Sequence, residues 1–429
     1  MTTRSSHWRP QTIAIHTGYD PETTTGAISP PIYQTVGYAF ESTTHAAQLF
    51  SLDQPGNIYT RIMNPTTGVL EQRIAALEGG IAAVAFSSGM AAITAAVLNV
   101  CRSGDELIAA TSLYGGTWTL FTSTLQDYGI TVRFVPDDKL SQASQLVTEK
   151  TRAVYVESIG NPRLNVTDLR QWASFAHNHG LPLIVDNTFP TPYLERPIDF
   201  GADVVVHSLT KWIGGHGNSI GGMVVDSGKF NYNTAQYPQF SQPDQSYHGK
   251  ILGTDFGDAG YAVRLRVKLL RDTGAALAPH SAYLILLGLE TLVIRMQQAC
   301  RNALELAQRL SAHPEVSWVN YPGLESDPAF PLATQYLRAG HFGSMLNFGV
   351  KGGRKAALQV MDHLKLWMIV ANVGDSRSMA IHPATTTHQQ LSREEQELAG
   401  AGPDLIRLSV GLEHIDDLWD DLSNALNSI

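Results

Sequence analysis

The sequence predicts an α/β protein with one large, mostly parallel sheet, helices on both of its faces, and a smaller α/β unit towards the C-terminus. Three observations point there. Short all-apolar runs alternate with helical stretches from about residue 66 to 226, and strands apolar throughout are those buried on both faces. Glycines close the helical stretches, at Gly79–Gly80, Gly129 and Gly180. A long helical stretch over 281–313 then separates this series from residues 314–429.

Residues 1–65 are rich in Thr, Pro and Gly and lack helical periodicity, so they read as an extended arm with little core. VLEQRIAALEGG (69–80) predicts a helix, IAAVAF (81–86) a buried strand, SSG (87–89) a turn and MAAITAAVLNV (90–100) a helix. Further strands follow at 105–110, 130–135, 151–158, 181–187, 202–208 and 220–226, with helices at 117–129 and 169–180 between them. The polar and aromatic stretch 231–262 breaks the alternation and reads as a surface excursion that could serve as a lid. In a sheet of this kind ligands sit beyond the carboxyl ends of the strands.

Composition narrows the function. The 429 residues carry 30 Lys+Arg against 39 Asp+Glu, a net charge of −9, and are 43% apolar. That is a core-forming composition rather than a disordered one. With no basic run, the acidic balance disfavours general nucleic-acid binding. Two cysteines, Cys101 and Cys300, with no Cys/His cluster, indicate neither a disulfide framework nor a metal site. The stretch from Gly79 to Cys101 holds 23 residues without a charge, enough to span a bilayer. Its glycines, serines and Asn99 favour a strand, a turn and a buried helix instead, and no membrane association is expected. The start of the chain does not read as a secretory signal, and a cytoplasmic protein is expected.

HExxH, GxxxxGK[ST] and a GxGxxG after a strand are absent, so chemistry must come from residues at strand ends. Lys211 leaves the strand ADVVVHS and enters a glycine-rich loop, WIGGHGNSIGG. A lysine buried there has a lowered pKa and is nucleophilic, which suits Schiff-base chemistry. Ser208 and Thr210 beside it could hold a phosphate; ordinary loop residues would read the same way. Asp186 closes the apolar strand LPLIVDN, where a carboxylate could face a protonated ring nitrogen or simply cap a turn. Ser88, Gly89 and Met90 form a turn into a helix N-terminus, a natural phosphate site as well as a common tight turn. Tyr114, in LYGG, is a candidate to stack on an aromatic cofactor. Together these are the parts that pyridoxal 5'-phosphate (PLP) requires.

The ordered motifs SSGMAA, LYGG, ESIGNP, VDNTF, HSLTKWIGGHG and IRLSVGLE resemble the Cys/Met-metabolism family of PLP enzymes, from about residue 10 to 425. The resemblance implies the aspartate-aminotransferase-type fold (fold type I). It also assigns roles. Lys211 would bond covalently to the cofactor and move protons, Asp186 would face the pyridinium nitrogen, and Tyr114 would stack on the ring. Ser88, Gly89, Met90, Ser208 and Thr210 would hold the phosphate. Arg407 would grip the substrate carboxylate, helped by Asn161 and Ser378. Tyr59 and Arg61, in NIYTRIMNPT, would reach the phosphate of a neighbouring subunit. Tyr59 and Tyr114 would assist proton movement near the leaving group.

The resemblance implies an arm (1–65) on a neighbouring subunit, a PLP-binding domain (66–280, insertion about 231–262), and a linker helix with a C-terminal α/β domain (281–429). The implied assembly is a homotetramer, a dimer of dimers. GNIYTRIMNPT, the insertion and NVGDSRSMAIHPATTTH (372–388) most resemble the O-acetylhomoserine sulfhydrylase branch. Gly116 stands where methionine γ-lyases carry cysteine, and Arg377 where cystathionine γ-lyases carry glutamate. The expected reaction is γ-replacement on an O-acyl-homoserine by sulfide or a thiol, giving homocysteine for methionine biosynthesis. Cystathionine γ-synthase and O-succinylhomoserine sulfhydrylase are the nearest alternatives. A non-catalytic PLP-binding protein on the same fold is disfavoured by the joint presence of Lys211, Asp186 and Arg407. Ser208-x-x-Lys211 also fits the SxxK of penicillin-binding hydrolases, but SDN and KTG partners are missing.

Overall fold

In the computed structural model the described residues are 8–21, 23–387, 389, 392–398 and 400–429. The arm carries two short helices, α1 (Pro10–His16) and α2 (Thr43–Phe50). Arg73 donates to the carbonyl oxygens of Ala14 (3.1 Å) and Thr17 (3.0 Å), so α1 is docked on its own chain. Much of the rest of the arm lies exposed, including the apolar side chains of Ile28, Val36 and Phe50.

The next helix, α3 (Pro65–Glu78), begins earlier than its apolar pattern suggests. Asn64 caps it, accepting from Thr66 N (3.0 Å), and Pro65 supplies the preset first position. Gly79, at φ 79°, ends it in the left-handed region. Strand β1 (Ala82–Phe86) and helix α4 (Gly89–Val100) follow. Strands β2 (Glu106–Ala110), β3 (Thr131–Val135), β4 (Thr151–Glu157), β5 (Leu183–Asp186), β6 (Val204–Ser208) and β7 (Gly222–Asp226) complete a seven-stranded sheet, ordered β1-β7-β6-β5-β4-β2-β3. Only β7 runs against the others, so the carboxyl ends of the remaining strands share one edge. The helix expected at 117–129 starts at Gly115 and widens into a π turn over Leu120–Thr124.

The 231–262 excursion is not a lid. Tyr232, Tyr237, Phe240 and Tyr247 are buried within it. The Tyr237 hydroxyl donates to Arg152 O (2.9 Å) and Gln239 donates to Val100 O (2.9 Å). These anchors lie at the start of β4 and the end of α4, the edge of the sheet opposite the strands' carboxyl ends. Aromatic residues spaced among polar ones look like surface in a sequence, yet here they fill the space beside the core.

The stretch 281–313 is two helices, Pro279–Glu290 and Leu292–Ser311, broken at Thr291. At the break the Gly288 carbonyl accepts from Thr291 N (3.2 Å) and from the Arg295 guanidinium (2.6 Å). The second sheet contains β8 (Val316–Asn320), β9 (Met345–Val350), β10 (Met368–Ile369), β11 (Met379–Ile381) and β12 (Leu405–Ser409), in the order β10-β11-β12-β9-β8. Its pairings are antiparallel except β10 with β11. None of the described helices is long and apolar enough to cross a membrane.

Candidate active site

Alternation along β4, β5 and β6 sends Tyr155, Glu157, Asp186 and Ser208 to one face at the carboxyl edge. Asp186 is buried. Its Oδ1 accepts from both Thr188 N (3.0 Å) and Thr188 Oγ1 (2.5 Å). Its Oδ2 meets only the Tyr155 hydroxyl, at 3.4 Å. Burial pushes the Asp186 pKa up, against the pull of the two Thr188 donors. A partly bonded carboxylate in a dry setting is suited to a cationic partner at Oδ2.

Thr188 Oγ1 also accepts from Ser208 N (2.8 Å), tying Asp186 to the turn before Lys211. The Ser208 hydroxyl has no hydrogen-bond partner among the described residues. It faces Gly89, where an added Cβ would lie 2.9 Å from Ser208 Oγ. Gly89 and Met90 open α4, where backbone N–H groups lack partners inside the helix. Ser88 caps that helix, its Oγ accepting from Ala91 N (3.1 Å). The Thr210 hydroxyl instead closes the glycine loop, accepting from Gly221 N (3.1 Å) and donating to Gly221 O (3.3 Å).

Lys211 Nζ donates to Asn372 Oδ1 at 2.6 Å. Burial, then the nearby positive charge of Arg407, pushes its pKa down to about 8. Asn372 opens the NVGDSRS segment, and nothing in the sequence marks it as a partner of the lysine. Close packing holds the segment against the lysine: a Cβ on Gly374 would lie 2.9 Å from the Lys211 carbonyl carbon.

Arg407, on β12, is buried, and among the described residues no carboxylate pairs with it. Its Nη1 donates to Asn161 Oδ1 (3.0 Å). Burial pushes its pKa down to about 10, and the Tyr114 phenol opposes that shift. Tyr114 thus lies near Arg407. Its backbone N donates to Glu157 Oε1 (2.6 Å) and its ring is half exposed. A Cβ on Gly116 would come within 2.5 Å of the Tyr114 ring, so this ring position requires glycine there.

Not every expected residue joins this cluster. The Ser378 hydroxyl donates to Glu413 Oε2 (2.8 Å) and accepts from Gly411 N (2.8 Å), while Ser378 N donates to Glu413 Oε1 (2.6 Å). A buried hydroxyl so engaged has no proton left for a substrate carboxylate, and the expected substrate-binding role is corrected to a structural one. Arg61 donates to the Arg271 carbonyl of its own chain and lies over the Tyr59 ring at 5.3 Å. No described hydrogen bond links either residue to the Lys211 cluster. Arg377 is engaged by Asp375 (2.9 Å) and the His216 carbonyl (2.8 Å). His388, last in the motif 372–388, lies outside the described residues. Glu157, Thr188 and Asn372 were missed; the first two carried a signal, since each ends or follows a strand at the ligand edge.

A lysine with a lowered pKa, an unpaired buried guanidinium, a carboxylate with one oxygen to spare and a free hydroxyl at a helix N-terminus suit an anionic aldehyde cofactor and an amino-acid substrate. These features define a lysine-centred PLP-type site on a mostly parallel sheet. The profile of the "Cys/Met metabolism PLP-dependent enzyme" family matches residues 11–427, and the chain belongs to that family. It is 47% identical to the O-acetyl-L-homoserine sulfhydrylase of Leptospira meyeri, over 99% of this chain and 98% of that one. It is 50% identical to O-acetyl-L-homoserine sulfhydrylase 1 of Thermus thermophilus (97% and 99% covered) and 48% identical to the homocysteine synthase of Schizosaccharomyces pombe (99% of each). A crystal structure of a candidate O-acetylhomoserine (thiol)-lyase from Campylobacter jejuni, bearing N'-pyridoxyl-lysine-5'-monophosphate, superposes with a TM-score of 0.95 at 40% identity, covering 98% of this chain and all of that one. The protein is a PLP-dependent enzyme.

Proposed function

We propose that the chain catalyses γ-replacement: O-acetyl-L-homoserine and sulfide give L-homocysteine and acetate. The Cγ–O bond breaks, a Cγ–S bond forms, and acetate leaves with the bonding electron pair. The observation that carries this reading is the convergence of the Lys211 amine with the unpaired guanidinium of Arg407, whose Nη1 also donates to Asn161. That arrangement receives an α-amino acid by its carboxylate while an amine base stands at its α-carbon. The names of the relatives supply the choice of acyl group and nucleophile.

Bound PLP supplies an aldehyde carbon and an electron-withdrawing ring. Ser208 Oγ and the first N–H groups of α4 would hold its phosphate, and Asp186 Oδ2 its ring nitrogen. Arg407 and Asn161 orient the substrate carboxylate by hydrogen bonds. Lys211, its pKa pushed down to about 8 by burial, takes the α-proton and returns it. Asn372 holds the amine while it is free. Tyr114, beside Arg407, covers the ring and is placed to donate at the departing acetate.

The same reading includes the division into 1–65, 66–280 and 281–429, a cytoplasmic location, and a homotetramer of two catalytic dimers. Tyr59 and Arg61 lie apart from their own Lys211 cluster, which supports their use by a neighbouring subunit. The test is product identification from O-acetyl- or O-succinyl-homoserine supplied with sulfide, methanethiol or cysteine. Homocysteine from the acetyl ester and sulfide is expected. Cysteine outcompeting sulfide by a wide margin would overturn the assignment in favour of cystathionine synthesis.

A further inference from the structure

The opposite face of the same strand ends carries a second polar cluster that the reaction above does not use. Ser158, Asn187 and His207 alternate with Glu157, Asp186 and Ser208, and point towards α3. Glu78, the last residue of α3, is fully buried, as is His207, and His207 Nε2 donates to Glu78 Oε1 at 2.6 Å. Asn187 Nδ2 donates to Glu78 Oε1 (2.9 Å) and to the Glu195 carbonyl (3.0 Å). The Ser158 hydroxyl is shared between Asn187 Oδ1 (2.8 Å) and the Asp186 carbonyl (3.0 Å). Four buried atoms remain unpartnered: Glu78 Oε2, both carboxyl oxygens of Glu195, and His207 Nδ1.

Glu195 receives no hydrogen bond on either oxygen, so its neutral form is favoured; burial and then Glu78 push its pKa up to about 8. The charged groups around them come from every packed element. His207 lies on β6, and Arg196 follows Glu195 with its Nε on the Glu78 carbonyl (3.3 Å). Arg338, before β9, gives its Nε to the Tyr193 carbonyl (2.7 Å). Neither guanidinium makes an ion pair with Glu78 or Glu195 among the described residues.

We propose that Glu78, with Asn187 and His207, is a positioning residue for Asp186 and Ser208 beneath the cofactor. This rests on the reading of Asp186 given above. The strand ends cannot shift on one face without shifting on the other, because Asp186 adjoins Asn187 and Ser208 adjoins His207.

The test uses the holoenzyme. Glu78→Ala removes the acceptor of His207 and Asn187. It should move the pH midpoint of the visible spectrum and lower kcat about tenfold or more with little change in KM, since small displacements of site groups cost that much. An unchanged midpoint and kcat would overturn the positioning role. If Glu78→Ala does not fold, Ser158→Ala at the rim of the cluster reads the same shift with the same sign. Asp186→Asn is the separate control: if it leaves the spectrum unchanged, the site reading fails whatever Glu78 does.

Discussion

Asp186→Asn isolates one oxygen of one side chain. Both Thr188 donors bond Oδ1, and an asparagine amide oxygen can keep both of them. The change therefore falls on Oδ2, where an acceptor becomes an NH2 donor beside the Tyr155 hydroxyl. Volume, packing and the link to Ser208 through Thr188 Oγ1 are preserved. What is lost is the carboxylate facing a cation in a buried site. Removing one partner of a buried ion pair costs about 3–5 kcal/mol, and each 1.36 kcal/mol is a factor of ten in rate, so kcat should fall roughly 10²- to 10⁴-fold. Burial raises the Asp186 pKa in the protein, and a ring cation at Oδ2 would oppose that rise. The visible spectrum of the variant should shift accordingly. The assay is homocysteine release from O-acetyl-L-homoserine and sulfide, alongside thermal unfolding. A variant that unfolds like wild type and keeps kcat within about threefold, under 1 kcal/mol, would refute the assignment of Oδ2 to the ring nitrogen.

Arg407→Lys loses the planar fork over Asn161; KM for the O-acyl-homoserine should rise about 10- to 150-fold, the worth of one charged hydrogen bond, with a smaller effect on kcat. Asn372→Ala removes an acceptor that favours the charged amine. The Lys211 pKa should then fall further below about 8, and the rising limb of the pH–rate profile should move to lower pH by up to about one unit; a shift to higher pH would contradict the contact. Gly222→Ala would place a Cβ 2.0 Å from the Ser88 carbonyl oxygen. A loss of stability of about 1–3 kcal/mol or more and weaker PLP retention are expected by denaturant titration and gel filtration.

The sheet was legible because its strands are apolar on both faces and bounded by glycine and helix. Ala82–Phe86, Glu106–Ala110 and Val204–Ser208 fall inside the predicted runs. The reversed direction of β7 was not legible, since an apolar run carries no sign of its direction. The excursion 231–262 misled because Tyr237 and Phe240 have the composition of a surface loop and the burial of a core. Strand-end residues with distinctive chemistry, Lys211, Asp186 and Arg407, could be picked out by position and family resemblance. Asn372 could not, because an asparagine in a loop matters only once the chain brings it to an amine 161 positions earlier. Ser378 was placed at the site by its motif, yet Glu413 occupies its hydroxyl.

By itself the sequence determined the alternation of strands and helices, the family, and the residue types able to hold PLP, because these follow from local periodicity and short ordered motifs. Only the tertiary structure decided which of those residues share a space, which hydroxyls are already engaged, and that Glu78, Glu195, Asn187 and His207 meet behind Asp186. Such contacts join residues more than a hundred positions apart, as His207 and Glu78 are, and their burial and hydrogen-bond geometry exist only once the chain has brought them together. A chain of letters specifies this only through the fold it adopts.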